Sequence, residues 1–186
     1  MTQELIQLPS NLPVPQDDGA CNHLQNLALP PITLKATNQH NVSLANIQGW
    51  LVIYCYPMTG QPNKALPAGW DSIPGARGCT PQACAFRDHH QTLTALNAQV
   101  FGLSTQPTDY QEEAANRLHL PYSLLSDHQF QFTNALQLPT FEVEGIRLNK
   151  RVILIAFNSV IQHFFYPVFP PDKNADVVIN WLTLHG

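Results

Sequence analysis

The most constraining feature of the sequence is a set of short apolar runs that alternate with segments of helical periodicity. Trp50–Tyr56 (WLVIYCY), Val100–Ser104 (VFGLS) and Arg151–Phe157 (RVILIAF) are rich in apolar residues and lack regular polar alternation, as expected of strands buried on both faces. Between the first two, Thr80–Ala98 carries apolar residues at spacings of three and four, which predicts a helix. Because doubly buried strands need helices on both sides, the chain is predicted to be an α/β protein with a central sheet.

The remaining elements continue this pattern in chain order. Two short segments, Ile32–Thr37 and Val42–Leu44, predict an N-terminal β-hairpin. The later predicted elements are the helix Thr108–Leu118, the strand Tyr122–Ser126, the helix Gln129–Leu136, the strand Thr140–Val143, the strand Val160–Tyr166 and the helix Asn174–His185. The early strands are joined by helices and the last pair by a tight turn at Asn158–Ser159. The sheet is therefore predicted to be mixed, parallel first and antiparallel last.

The domain organisation follows from length and local composition. The 186 residues fit one domain. Residues 1–30, rich in Pro, Asn and Gln, predict an irregular lead-in, and residues 31–186 the domain itself. Within it, residues 58–78 contain four glycines and three prolines. A loop of that length is expected to be functional or to cover a site.

Cys79 and Cys84 lie in the segment GCTPQACAFRD, at the start of the helix that follows this loop. Gly78 lets the backbone come close, and Thr80–Pro81 starts the helix, since proline is tolerated where no intrahelical donor is needed. A sulfur at Cys79 would face unpaired N–H groups and the positive end of the helix dipole. Both favour the thiolate, which is the reactive form of cysteine.

The spacing of the two cysteines has a mechanical consequence. Five residues along an unbroken helix separate two Cα atoms by roughly 8–9 Å. A disulfide needs about 4.4–6.8 Å. If Cys79 and Cys84 form a bridge, the first helical turn must therefore unwind after Cys79 is oxidised to a sulfenic acid. Arg77 and Arg87 add nearby positive charge, whose direction the sequence does not define.

The cysteines also admit two structural interpretations. The pair could simply be buried apolar residues, which is what a mid-strand position predicts for Cys55. No role is assigned to Cys21. A zinc site with His89 and His90 as further ligands is a weaker hypothesis, because the spacing matches no common structural zinc site.

Charge and hydropathy exclude several classes of partner. The net charge is −4 and no basic stripe exists to neutralise phosphates, which argues against nucleic-acid binding. The apolar runs are too short to cross a bilayer, and no basic amphipathic helix is evident. Met1–Pro15 has the pattern of neither a signal peptide nor an anchor. A cytoplasmic location is therefore predicted, where reduced thiols are the rule.

The segment GCTPQACAFRD resembles the active-site helix of the peroxiredoxins, in particular the bacterioferritin-comigratory or PrxQ-type branch. The order of elements over Ile32–His185 is similar too, which implies a thioredoxin-like fold. The resemblance implies that Cys79 is the peroxidatic cysteine and Cys84 the resolving one. It also implies that Arg151 holds the thiolate and the peroxide, and that Pro57 shields the cysteine.

The sequence departs from the family pattern P-x-x-x-T-x-x-C in two respects. Ala76 stands where the family has a Thr or Ser whose hydroxyl bonds the peroxide oxygens, and residues 58–74 are an insertion. Thr59 or Thr80 could supply a hydroxyl if the loop folds back. Arg151 could also be a solvated arginine at a strand end.

These residues together predict a thiol-dependent peroxidase. Cys79 would attack hydrogen peroxide or an organic hydroperoxide and Cys84 would resolve the sulfenic acid, with no metal or organic cofactor and with thioredoxin or a similar dithiol as reductant. One rival, favoured by Ala76, is a thiol–disulfide oxidoreductase without peroxide specificity. Another is a redox-sensing or binding module in which residues 58–78 present a partner site. The apolar stretch Phe164–Phe169 is a candidate homodimer surface.

Overall fold

The computed structural model of the chain describes residues 7–186, so the first six residues of the predicted lead-in lie outside the described residues. The strands are β1 (Thr33–Ala36), β2 (Asn41–Ser43), β3 (Trp50–Cys55), β4 (Ala98–Ser104), β5 (Leu124–Ser126), β6 (Thr140–Val143), β7 (Ile146–Asn149), β8 (Val152–Phe157) and β9 (Val160–Phe165). The α-helices are α1 (Cys79–Asp88), α2 (His90–Ala95), α3 (Thr108–Arg117), α4 (Gln131–Ala135) and α5 (Asn174–His185). In this part of the chain, none of the helices combines the length and the apolar character needed to cross a membrane.

Seven strands form one mixed sheet in the order β2–β1–β5–β4–β3–β8–β9. β3, β4 and β5 are parallel to one another. β1 joins β5, β8 joins β3 and β9 joins β8 in antiparallel fashion. The turn between β8 and β9 uses Asn158 and Ser159, both with positive φ. The predicted α/β fold, with a mixed central sheet and an N-terminal hairpin of β1 and β2, is confirmed.

The central strand β3 explains why the core has two halves. Val52 and Tyr54 point to one face, where α1, α2 and α5 pack. Leu51 and Ile53 point to the other face, where α4 and the lead-in pack. Side chains of a strand alternate between the two faces of a sheet, so a strand covered on both sides must be apolar throughout. The run WLVIYC has this composition.

The described part of the lead-in, residues 7–30, is irregular but packs into the core. Cys21 and Leu24 are fully buried. The backbone of Asn26 and Leu27 bonds to Ile161, and Ala28 forms an isolated bridge with Val160. The lead-in therefore covers one face of the sheet and part of its β9 edge.

Two local predictions were wrong. The predicted helix Thr80–Ala98 is two helices, because the backbone of His89 leaves helical geometry between α1 and α2. The strand β7 was missed, although its short sequence IRLN alternates apolar and polar residues, because a run of four is too short to stand out. It follows a tight turn at Glu144–Gly145, both with positive φ, and pairs with β6 in a separate two-stranded sheet.

The inserted loop, residues 58–78, contains one 3₁₀ turn at Trp70–Ser72. Trp70 and Ala76 are buried in a small apolar cluster with Val143 and Leu148 of the β6–β7 sheet. The loop is thereby held between that sheet and the start of α1. This placement brings it over Cys79.

Candidate active site

Cys79 is the first residue of α1, one position earlier than the predicted helix start. Gly78, just before it, has φ of 106°, a conformation that a residue with a Cβ rarely adopts. A Cβ at Gly78 would also collide with Pro171, which lies next to the start of α5. Glycine is therefore required for the chain to turn into α1 this close to α5.

The sulfur of Cys79 is buried against a guanidinium group. Cys79 is 4% exposed, and its Sγ lies 3.3 Å from Nη2 of Arg151, which donates to it. The Cys79 thiol also faces the carbonyl oxygen of Ala76 at 3.7 Å. Arg151 directly precedes β8 and is 3% exposed, so the alternative of a solvated strand-end arginine is wrong. A cation held against a sulfur stabilises negative charge on it.

Both terminal nitrogens of Arg151 have further partners, whereas its buried Nε has none among the described residues. Its Nη1 donates to Oε1 of Gln82, and its Nη2 lies 3.2 Å from the Ala76 carbonyl oxygen. Gln82 in turn donates from Nε2 to Oδ1 of Asn174 at 3.2 Å. Both amide side chains are buried. The guanidinium is thus fixed in one orientation from three sides.

Gln82 and Asn174 were missed by the sequence interpretation. Gln82 could have been found, since it lies three residues after Cys79 and therefore on the same face of the helix. Asn174 is 92 residues from Gln82 and opens α5. No local pattern connects it to the cysteine.

Position 76, where the family has a threonine, is an alanine and offers no hydroxyl. The Ala76 side chain packs in the apolar cluster around Trp70. The N–H and the hydroxyl of Thr59 both donate to Oε1 of Gln106, at 2.9 and 3.2 Å. Thr80 is buried and lines the cleft beside Cys79. Of the two threonines considered, Thr80 is therefore the better placed.

A narrow cleft leads to Cys79. It is lined by Met58, Gly60, Leu66, Trp70, Arg77, Gly78, Cys79 and Thr80. Its free volume is about 10 Å³, which is at the lower limit for one water molecule. Pro57 is buried at the end of β3, its carbonyl oxygen accepting from the Ser104 hydroxyl at 2.9 Å, and it is not among the residues lining the cleft. The inserted loop, rather than the proline alone, covers the sulfur.

Cys84 lies further along α1, and the helix between the two cysteines is intact. Both thiols are free, and Cys84 is half-buried. Burial raises the pKa of the Cys84 thiol, and the neighbouring Arg87 offsets part of that rise. Arg87 therefore acts near Cys84, while Arg77 pairs with Asp71 at 3.1 Å.

An aromatic cluster holds the middle of α1. The Tyr122 hydroxyl donates to the carbonyl oxygen of Ala83 at 2.8 Å and lies 3.0 Å from the Tyr54 hydroxyl. Tyr54 stacks on Phe86 of α1 with ring centroids 4.6 Å apart. Burial raises the pKa of Tyr122, so its hydroxyl keeps the proton that it donates. These contacts favour the helical form that keeps the cysteines apart.

The other two cysteines are fully buried. Burial raises the pKa of Cys21 to about 12 and that of Cys55 still further. The prediction that Cys55 is a buried apolar residue is confirmed. Among residues 7–186, no cluster of His, Cys, Asp and Glu is arranged to hold a metal ion. His89 instead pairs with Asp176 at 3.0 Å.

An α/β sheet that carries a cysteine at a helix start, with a buried arginine against the sulfur, defines the class of thiol-dependent redox proteins. The Redoxin family model matches residues 24–179, and the chain therefore belongs to the redoxin family. Chloroplastic peroxiredoxin Q of Gentiana triflora is 29% identical over 184 residues, covering 96% of this chain and 77% of the relative. That of Sedum lineare is 29% identical over 154 residues, covering 82% and 74%.

Solved structures show the same fold. Peroxidoxin BcpB from Mycobacterium tuberculosis has a TM-score of 0.70 at 22% identity, covering 86% of this chain and 96% of that one. A Xanthomonas campestris peroxiredoxin Q variant has a TM-score of 0.66 at 16% identity, covering 95% and 100%. The thioredoxin-like fold and the resemblance to the peroxiredoxin Q branch are confirmed. The chain is an oxidoreductase of the peroxiredoxin type, a thiol peroxidase.

Proposed function

We propose that this chain reduces hydroperoxides with Cys79 as the peroxidatic cysteine and Cys84 as the resolving cysteine. The observation that carries the proposal is the contact of the Cys79 sulfur with the buried guanidinium of Arg151, 3.3 Å away. A fixed cation at that distance favours an ionised sulfur and leaves little freedom in its position. Cys84 is the other cysteine of the same helix.

In the first step the Cys79 thiolate attacks one oxygen of the peroxide. An S–O bond forms and the O–O bond breaks, so the sulfur is oxidised by two electrons to a sulfenic acid. The other oxygen leaves as hydroxide or alkoxide and takes a proton from water. Arg151 stabilises the charge on the departing oxygen. Thr80 offers a hydroxyl to the peroxide, and Pro57 backs the site as the shielding proline.

In the second step Cys84 attacks the sulfenic sulfur. A disulfide forms as the S–O bond breaks. The hydroxyl of the sulfenic acid takes the proton of the Cys84 thiol and leaves as water. Because α1 holds the cysteines too far apart, its first turn unwinds before the bond closes. Thioredoxin or a similar dithiol then reduces the disulfide and returns both thiols.

The direct test mixes reduced protein with hydrogen peroxide and follows thiol loss against a Cys79→Ser control. A rate no faster than that of free cysteine would exclude the peroxidase. Peptide mapping of the oxidised protein tests the resolving step. A disulfide from Cys79 to Cys21 or to a second chain would contradict the role of Cys84.

A second candidate is a redox-sensing or thiol–disulfide exchange protein without peroxide turnover. It is favoured by Ala76, which leaves the site without the family hydroxyl, and by the closed cleft over Cys79. Turnover with thioredoxin, its reductase and NADPH separates the two. A peroxidase consumes NADPH continuously, whereas a sensor is oxidised once and stops.

A cytoplasmic location and a homodimer stay predictions of the sequence. The candidate dimer surface contains Phe169, which is exposed, and Phe164, which is partly buried against the core. Sedimentation of the protein and of a Phe169→Ser variant tests the dimer. Fractionation of the source cells tests the location.

A further inference from the structure

A broad groove lies beside the narrow cleft over Cys79. It is lined by Met58, Gly60, Gln61, Lys64, Ala65, Leu66, Pro67, Ala68, Tyr110, Glu144 and Ile146. Its volume is about 490 Å³, against about 10 Å³ for the cleft. The volume of the groove is in the range of sites that bind an organic molecule, whereas the volume of the cleft is far below that range.

The groove and the cleft share part of their walls. Met58, Gly60 and Leu66 line both. The groove is therefore separated from the Cys79 sulfur by side chains of the inserted loop and not by the core of the sheet. A shift of Leu66, which is only partly buried, would join the two spaces.

The loop is fixed on either side of Leu66. Arg117 of α3 donates to the carbonyl oxygen of Gly60 at 3.0 Å. The N–H of Ala68 donates to Glu144, beside the β6–β7 turn, at 3.1 Å. These two hydrogen bonds attach the loop to α3 and to the β6–β7 turn, and Leu66 lies between them.

The walls of the groove are mostly apolar. Ile146 of β7 is 48% exposed and lines the groove with its aliphatic side chain. Tyr110 presents its ring, with the Lys64 ammonium 5.4 Å from the ring centroid. Lys64 and Glu144 carry opposite charges on the rim, so the groove offers apolar contact without selecting for a charged molecule.

We propose that this groove binds the apolar body of an organic hydroperoxide, whose peroxide group reaches Cys79 past Leu66. The inference rests on the proposed function and assigns a binding site for the organic part of the substrate that reacts with the same sulfur. The thiolate takes the terminal peroxide oxygen, the O–O bond breaks, and the alkoxide takes a proton from water and leaves the groove as the alcohol. The insertion thereby acts as a specificity-determining element.

The test compares two peroxides on the full chain. Second-order rate constants for Cys79 oxidation are measured by rapid mixing with cumene hydroperoxide and with hydrogen peroxide, for the wild type and Ile146→Asn. Loss of apolar contact is expected to lower the ratio of the two constants about fivefold. Val177→Asn, which changes a similarly exposed aliphatic residue (44%) on α5, is the matched control and leaves the ratio unchanged.

Filling the groove gives an independent variant. Ala68 is exposed at the groove wall, and Ala68→Trp is expected to lower the same ratio. An unchanged ratio in both groove variants, with a wild type that reacts with both peroxides, would overturn the groove and leave the peroxidase standing. A wild type that reacts with neither peroxide would overturn the proposed function and the groove with it.

Discussion

The Nη2 atom of Arg151 lies 3.3 Å from the sulfur of Cys79, although 72 residues separate them in the chain. Arg151 directly precedes β8, and Cys79 opens α1. Both residues are almost fully buried, so little water screens the charge between them. The reactivity of this cysteine is therefore tied to the pairing of β8 with β3 as much as to its own helix.

Replacing Arg151 with lysine is expected to slow Cys79 oxidation about 10- to 100-fold. Lysine keeps a positive charge but cannot reach the sulfur, Gln82 and the Ala76 carbonyl at once. The expected loss corresponds to one charge-assisted hydrogen bond. Rapid mixing with hydrogen peroxide measures it, with the exposed Arg147→Lys as control. Equal rates for the two variants would contradict the role of Arg151.

Restoring the family threonine through Ala76→Thr is expected to lower stability without accelerating oxidation. The Ala76 side chain is fully buried against Trp70, so the added atoms overpack that cluster at a cost of about 1–3 kcal/mol. The new hydroxyl would enter an apolar environment. Urea unfolding measures the first effect and peroxide kinetics the second. Faster oxidation in this variant would show that the side chain at position 76 can reach the peroxide.

Much of the fold could be predicted from local sequence because the relevant physics is local. β3 was predicted from its uninterrupted apolar run, and the helix Asn174–His185 was predicted with the bounds that the structure shows. β7 was missed although Ile146–Asn149 alternates apolar and polar residues, because the run has only four residues and its pairing with β6 depends on the turn at Glu144–Gly145.

From the residues alone, the site was predictable only where it is continuous in sequence, and Arg151 was named only through the resemblance to the peroxiredoxins. Cys79 was identified from its place after Gly78 at a helix start. The fixation of Arg151 by Gln82 and Asn174 depends on contacts between distant elements. The covering of the cleft by Trp70 depends on the packing of the inserted loop against β6 and β7. Neither the fixation of Arg151 nor the covering of the cleft can be derived from local patterns in a single sequence.

The two buried cysteines, Cys21 and Cys55, are expected to resist alkylation in the native protein. A pKa of about 12 for Cys21 leaves about one part in ten thousand as thiolate at pH 8. The pKa of Cys55 is higher still. Iodoacetamide at pH 8, followed by peptide mass spectrometry, should modify them only after denaturation. Rapid modification of either one in the native state would contradict their burial.

In the Cys79→Ser variant, the thiol of Cys84 is expected to ionise at a higher pH than an ordinary cysteine thiol. Burial raises its pKa above the ordinary 9.0, and a raised thiol pKa means less thiolate at any given pH. Its alkylation rate should therefore keep rising as the pH passes 9. A rate that levels off at or below pH 9 would show a solvent-exposed thiol, with α1 already unwound around it.

Tyr122→Phe is expected to speed disulfide formation, because the hydroxyl of Tyr122 holds the Ala83 carbonyl between the two cysteines. Unwinding the start of α1 breaks this hydrogen bond in the wild type, and its loss lowers the barrier by about 1 kcal/mol, or about fivefold in rate. The measurement is the second kinetic phase after mixing with peroxide, at peroxide concentrations where sulfenic acid forms first.

The matched control for that variant is Tyr56→Phe. Tyr56 is fully buried, and its hydroxyl donates to Gln111 of α3 at 2.7 Å and not to a backbone carbonyl of α1. Both variants lose one hydrogen bond, partly buried at Tyr122 and fully buried at Tyr56, so both should unfold at lower urea concentration. Only Tyr122→Phe should accelerate the disulfide, because only there does the lost bond stabilise the helix that must open. Equal acceleration in both would mean that general loosening of the core, and not the Ala83 contact, sets the rate.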